Sequence, residues 1–386
     1  MRHSASYKKN KQSTIMRILV VNWRDIHHPE AGGAEVHFHE TFTRIAKAGH
    51  HVTLLCSRFP GAEVHESIDG ITVIRNGWKL TFNLTVPWFY HRHLAHEAFD
   101  IIIEDLNKIP FFLPCFTKRP VLALLHHLFG TAVFRETNPI FAAYVYLTER
   151  LIPAVYRRCF FEVVSESSRD ELIRMGLSSD QITVIHNGID TRLYEHIDVL
   201  DQKEAALIVY MGRLKRYKNV DHLIQAMSMV RVSVPDARLC IIGTGDQRKA
   251  LEAMCRSMHL TDAVKFTGFI SDQDKVGILR QATVAAFPSD KEGWGLTVIE
   301  ANACYTPVVA TDVPGLRDAI VHGETGVLIP LGDRKAMARA LISLIQDRQE
   351  RERLARNAAN RALQFTWDTT AEKTLEVIEK VVKEHR

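Results

Sequence analysis

Six cysteines are scattered through 386 residues: Cys56, Cys115, Cys159, Cys240, Cys255 and Cys304. None lie close enough to form a CxxC pair or a zinc cluster, so they read as small buried hydrophobes of a reducing compartment. No uninterrupted apolar run of about 18 residues occurs, and no spanning helix is expected. The start carries no apolar stretch with a cleavage pattern, so no secretory signal is read there. An excess of one charge is also missing, with 49 Lys and Arg against 45 Asp and Glu, a net +4. So mild a basicity does not argue for a nucleic-acid partner, but it leaves room for an anionic ligand or an anionic membrane surface.

What is present is the composition of a soluble globular chain, 46% hydrophobic and 24% charged. At roughly 100–200 residues per domain, the length predicts two domains. Residues 1–15 are polar and basic and read as a disordered extension or as the product of an upstream start. From Met16, Val/Ile/Leu-rich strands alternate with helices: "RILVVNW" (17–23), "HVTLLCS" (51–57), "GITVIRNG" (70–77), "FDIIIED" (99–105), "RPVLALLHH" (119–127), "FEVVSES" (161–167) and "ITVIHNGID" (182–190). Such runs indicate a parallel sheet covered on both faces. After a polar stretch the pattern restarts at "ALIVYMGRL" (206–214) and continues through "ARLCIIGTG", "VKFTGF", "TVAAFPS", "PVVAT" and "GVLIP". The expected organisation is therefore α/β, with one Rossmann-like unit over 16–190, a linker over 191–205 and a second unit over 206–365. An amphipathic helix over 366–386 follows. Ligands of such sheets bind at the carboxyl ends of the strands, and two joined units make a cleft.

The chemistry-bearing residues fall at those strand ends. "VNWRDIHHPEAGGAE" places Gly32 and Gly33 after the first strand, where absent side chains admit a ligand or only a turn. "GRLKRYKN" (212–219) sets Arg213 and Lys218 beside Gly212. Two cations there suit a diphosphate leaving group without a metal, whereas Lys215 and Arg216 read as solvated. "EGWGLTVIE" (292–300) puts Glu292 in a loop and Glu300 inside a helix that begins near Leu296. Its N–H groups around Gly295, Leu296 and Thr297 form an anion site, Glu292 suits a polyol and Glu300 a ribose. Gly245 ends a neighbouring strand and joins the donor-site candidates. "SDQD" (271–274) contains a D-x-D pair, but Ser271 and Asp274 fit a capping box, and no metal or other cofactor is expected.

In this order, "GGAE", "HNGID", "GRLKRYKN", "IIGTGD", "FTGF" and "EGWGLTVIE" resemble the retaining GT-B glycosyltransferases of family 4. The resemblance covers nearly the whole chain from Met16. It implies two Rossmann-like domains facing across a cleft, with the acceptor on the first and a nucleotide-sugar donor on the second. It also implies a C-terminal helix crossing back to the first domain. Arg213 and Lys218 would hold the donor diphosphate, Glu300 the ribose and Glu292 the donor sugar, with Gly268 and Phe269 at the base pocket. His126, at the end of "VLALLHH", would reach the transferred sugar, while His127 would point elsewhere. The implied partners are a UDP- or GDP-sugar and a glycan or lipid-linked acceptor, in a cytoplasmic enzyme of cell-envelope polysaccharide synthesis. Two positions depart from the pattern, Trp294 for phenylalanine and Tyr305 for glycine, and each is expected to reshape the pocket.

Competing readings are a glycogen-phosphorylase-like enzyme, a nucleotide-sugar epimerase or hydrolase of this fold, and a non-catalytic nucleotide-sugar binder. On the acceptor side, Trp23 to Glu30 reads as a wall. The aromatic and basic segments 76–94 and 108–120 read either as packing of the first domain or as a peripheral contact with the inner face of a membrane.

Overall fold

The computed structural model describes residues 14–79, 81–107, 109–194 and 199–385. Most of the extension expected at the start, and residues 195–198 of the expected linker, lie outside the described residues.

Among the described residues, eight strands form the first sheet: β1 (Arg17–Val21), β2 (His51–Cys56), β3 (His65–Ile68), β4 (Ile71–Arg75), β5 (Ile101–Asp105), β6 (Val121–Leu125), β7 (Phe160–Val163) and β8 (Ile182–Val184). Six form the second: β9 (Leu207–Met211), β10 (Arg238–Ile242), β11 (Val264–Gly268), β12 (Val284–Phe287), β13 (Val308–Thr311) and β14 (Gly326–Ile329). Their orders are β3-β4-β2-β1-β5-β6-β7-β8 and β11-β10-β9-β12-β13-β14. Both sheets have the crossover order of doubly wound folds, so the α/β class and the pair of Rossmann-like units are those of a GT-B architecture.

The central strands are buried along their length because helices cover both faces, which is why β6 and β9 read as unbroken apolar runs. One strand was not expected. β3 pairs antiparallel with β4 through Asp69 and Gly70, both at positive φ, so "HESI" turns straight back as a hairpin. Its single buried side chain, Ile68, gives too little periodicity to read.

The chain passes between the sheets twice, at one place. Ile189 N–H donates to Phe365 O at 3.0 Å, and Ile189 bridges to Thr366. Gly188 lies against the same backbone, where a Cβ would come within 2.2 Å of the Thr366 carbonyl carbon. Trp294 fills this junction. It is buried and stacked on His186 at 4.0 Å, with Phe365 at its edge, so it shapes the crossing rather than a ligand pocket. Tyr305 is buried in a small cluster with Val199, Ala355 and Ala359, also away from the strand ends.

The C-terminal helix Trp367–His385 then lies on the first helix, Gly33–Lys47, and over β5, β6 and β7. Ala371, Thr374, Ile378 and Val381 recur at helical spacing on its buried face. Each buried Val or Ile there contributes about 1.5–3 kcal/mol, enough to hold this helix on the first sheet.

Candidate active site

The parallel registers level the strand ends. Val21 of β1 pairs with Glu104 of β5, Asp105 with Leu124 of β6, and Leu125 with Val163 of β7. The loop after β1 meets the loop after β9 at Gly32 and Arg213, and the loop after β6 meets the loop after β12 at His127 and Gly293.

Gly32 and Arg213 meet there. A Cβ at Gly32 would stand 3.2 Å from Nη2 of Arg213, so a side chain there would push the guanidinium aside by a few tenths of an ångström. At Gly33 a Cβ would meet nothing within 4 Å, so that position is open. The glutamate of "GGAE" is structural. Glu35 is buried, and its Oε2 accepts the Gly32 N–H at 2.6 Å, satisfying one free donor of the helix start.

Lys218 and Glu292 are joined. Lys218 Nζ donates to Glu292 Oε1, which also accepts from Ser289 Oγ at 2.7 Å. Burial weakens the Lys218 ammonium, but Glu292 outweighs it and holds the pKa above its usual value. Glu292 is carried by a tight loop, because Gly315, at φ 81°, packs where a Cβ would lie 2.2 Å from the Glu292 carbonyl oxygen. Nothing in the sequence pattern marked Gly315 or Ser289. Gly295, at φ 74°, caps the helix Leu296–Ala303 and is buried against Ala319 and Leu316. Leu296 and Thr297, half-buried, open that helix.

Glu300 has partners of its own. Its Oε1 accepts from Tyr194 Oη at 2.8 Å and from Lys275 Nζ at 2.8 Å. Neither partner was legible: Tyr194 falls in the expected linker, and Lys275 lies four residues after Ser271. The capping reading of that segment holds, since Ser271 Oγ accepts the Asp274 N–H at 3.1 Å and Asp272 pairs with Lys275. Among the described residues no three His, Cys, Asp or Glu are grouped to hold a metal ion.

The two remaining glycines serve the scaffold. A Cβ at Gly245 would lie 2.2 Å from Leu214 O, and Gly212, at φ 153°, lies against the Tyr210 hydroxyl. Close approach of the β9 and β10 loops accounts for Gly245, and a positive φ beside the Tyr210 side chain accounts for Gly212. Phe269 stands free at the end of β11, 89% exposed, with Gly268 turning beside Arg248.

The histidines exchange places relative to the sequence reading. Side chains alternate along β6, so His126 falls on the face of Leu122 and Leu124, under the first helix. It is buried, 3.3 Å from Asp105 Oδ2 and with its ring 5.1 Å from that of His37. Burial lowers its pKa, but Asp105 overrides this and leaves it raised. His127 is the one turned to the second domain, beside Gly293. Burial, then Lys291, His126, Lys218 and Arg213, bring its pKa down to about 3, so it is neutral at physiological pH. Trp23 likewise faces inward, packed on Phe82 and Phe111, so the first residue of the expected acceptor wall belongs to the core. Glu30, at the far end of that loop, is ion-paired with Arg24 and Lys79.

Further inter-domain bonds hold this arrangement. The Tyr217 N–H donates to Glu136 Oε1 at 3.0 Å, the Ser167 N–H to Asp318 at 3.1 Å, and Lys291 pairs with Glu171 at 3.2 Å. A polar cavity of about 420 Å³ opens beside them, between Arg135 and Glu136 on one side and Lys215, Arg216 and His222 on the other.

Known proteins match both halves. The family described as Glycosyltransferase Family 4 matches residues 31–193, and that described as Glycosyl transferases group 1 matches 195–361. Glycogen synthase of Mycobacterium tuberculosis is 28% identical, over 94% of each chain. Sucrose-phosphate synthase of Thermosynechococcus elongatus superposes with a TM-score of 0.80 at 22% identity, covering 96% of this chain and all of that one. Anabaena HepE, solved with UDP-glucose, superposes at 0.74 and 20% identity over 95% of this chain and all of its own.

Proposed function

Because this chain belongs to the group 1 glycosyltransferases of family 4, built on the GT-B fold, we propose that it moves a hexose from a UDP- or GDP-sugar to a glycan or lipid-linked acceptor, with retention of configuration and without a metal. The observation that carries this reading is the contact of Gly32 with Arg213 across the cleft, beside the Lys218–Glu292 pair and the start of the Leu296 helix. Positive potential borders this gap from the Arg213 guanidinium, from the Lys218 ammonium, which Glu292 partly offsets, and from the backbone N–H groups that open the Leu296 helix. A diphosphate is the group such a gap stabilises, most strongly as it leaves and gains charge.

The remaining residues take roles from their places. Phe269 offers a face for the base, as exposed aromatics do. Glu300 accepts a ribose hydroxyl through Oε2, with Tyr194 and Lys275 fixing its other oxygen. Glu292, aimed by Ser289 and Gly315, and neutral His127 position the transferred sugar. His126 is a positioning residue that fixes the loop from below. The bond from the anomeric carbon to the diphosphate breaks, and the acceptor oxygen bonds to that carbon on the same face. Its proton passes to the departing phosphate oxygen. Closure of the two domains excludes water, the competing acceptor.

The test is a panel of UDP-, GDP- and ADP-sugars, with free nucleoside diphosphate measured with and without acceptors and with EDTA. Acceptor-dependent release from a UDP- or GDP-sugar, unchanged by EDTA, is expected, and NMR of the product should show the donor's anomeric configuration. An inverted product, or loss of turnover on chelation, would overturn the mechanism.

A further inference from the structure

The helix Pro139–Arg150 is apolar on both sides. Ala142, Val145 and Thr148 face the core, as in any surface helix. Its other side carries Ile140, Tyr144 and Leu147, continued by Leu151, at the same helical spacing and exposed: Ile140 is 86% accessible and Leu147 61%. A helix that is hydrophobic all round ordinarily lies inside a protein or against another phase. The helix Phe82–Phe89 adds to the same surface. Leu84 and Trp88, four residues apart, are 71% and 63% exposed, and Asn83 Nδ2 donates to Tyr144 Oη at 2.8 Å, tying the two helices side by side. Trp78 and Phe134 extend the apolar area, which exceeds the scattered apolar residues of an ordinary surface.

Within the two helical segments of this face the exposed charge is basic, and the nearest carboxylates, Glu30 and Glu136, lie at its cleft edge, where Glu30 is paired with Lys79 and Glu136 accepts the Tyr217 N–H. Residues 76–96 contain no Asp or Glu, and 139–158 contain only Glu149. Glu149 is buried and accepts the N–H groups of Phe129 and Gly130, so it presents no charge outward. Lys79, Arg92, Arg150, Arg157 and Arg158 are exposed along the rim. Two copies packed through this face would set cation against cation. An apolar belt with exposed tryptophan and tyrosine, rimmed by cations, matches instead the interfacial layer of an anionic bilayer.

We propose that this face docks the first domain onto an anionic lipid surface. The face also borders the cleft: Lys79 pairs with Glu30 at 2.7 Å, and Arg135 next to Phe134 reaches Asp290 of the second domain at 3.4 Å. A chain seated on this face therefore holds its cleft mouth at the membrane surface. The surface is read without reference to sugar transfer, and vesicles carry no donor, so its failure leaves the transferase reading untouched.

The test is co-sedimentation of the full chain with vesicles of phosphatidylcholine alone and with added phosphatidylglycerol, at low and high salt. Binding to the phosphatidylglycerol vesicles, weakened by salt, is expected. The pairs Leu84→Ser/Trp88→Ser and Ile140→Ser/Leu147→Ser should each lower partition by about tenfold with an unchanged melting temperature, since these side chains bury little in the fold. Arg157→Gln/Arg158→Gln should remove part of the salt dependence. A folded wild-type chain that stays in the supernatant at low salt overturns the proposal. So does binding that all three variants retain, or a dimer in sedimentation velocity that the serine variants abolish.

Discussion

On the proposed transfer reading, two adjacent histidines divide chemistry from support. His127 lies among Lys291, Lys218 and Arg213 with its pKa brought down to about 3, whereas His126 is held under the first helix by Asp105. His127→Ala should lower kcat about 100-fold with little change in melting temperature, on the scale of losing one group aimed at the reacting centre. His126→Ala should instead lower the melting temperature. Steady-state kinetics beside thermal melts separate the two. Lys218→Ala leaves Glu292 without its partner in a largely buried place, so both donor affinity and stability should fall, stability by about 3–5 kcal/mol. Isothermal titration with the preferred donor and denaturant melts check this. The buried Glu162 offers a pH signature. Burial raises its carboxyl from 4.5 to about 7, with the Thr374 hydroxyl pulling the other way. The folded state therefore binds the proton more tightly, and this stability, full below about 4.5, is lost as the pH rises through 7. Glu162→Gln removes that loss, so its unfolding free energy relative to wild type, read from denaturant melts, should climb between pH 5 and pH 8 by an amount on the order of 2–3 kcal/mol.

At the scale of elements, the parallel strands were legible because burial on both faces leaves runs such as "VLALL" with no polar interruption. The hairpin β3–β4 was not, since it is short, polar and set at the sheet edge. Charged site residues were legible where glycines flank them at strand ends, as in "GRLKRYKN" and "EGWG". Those fixed by distant partners were not: Lys275 and Tyr194 reach Glu300 from other segments, and no spacing in the chain records it. The histidine order was lost for a simpler reason. A strand alternates its side chains, and which neighbour faces the cleft depends on where the last ladder bond falls. Gly315→Ala tests the loop that aims Glu292. A Cβ at φ 81° against a carbonyl oxygen forces the loop to move, so donor affinity should drop at least tenfold while the sheets stay intact by circular dichroism.

For the whole molecule, the described arrangement has the two halves drawn together by Glu136 and Glu171 of the first domain, on Tyr217 and Lys291, and by Asp318 of the second, on Ser167. Glu136→Ala combined with Glu171→Ala should favour an open form, seen as a larger radius of gyration in solution scattering without donor, and should raise KM more than it lowers kcat. Adding donor should restore the compact value, because the diphosphate gap engages both halves.

The paired crossings at Gly188 and Thr366 have a mechanical consequence. Two backbones lying flat against each other bend readily about the line between them but resist twisting and sliding. The halves are thus left with one soft coordinate, like covers on a spine. On the proposed reading, that coordinate carries Arg213 away from Gly32 when a spent nucleotide leaves, and the return stroke brings it back to the same place.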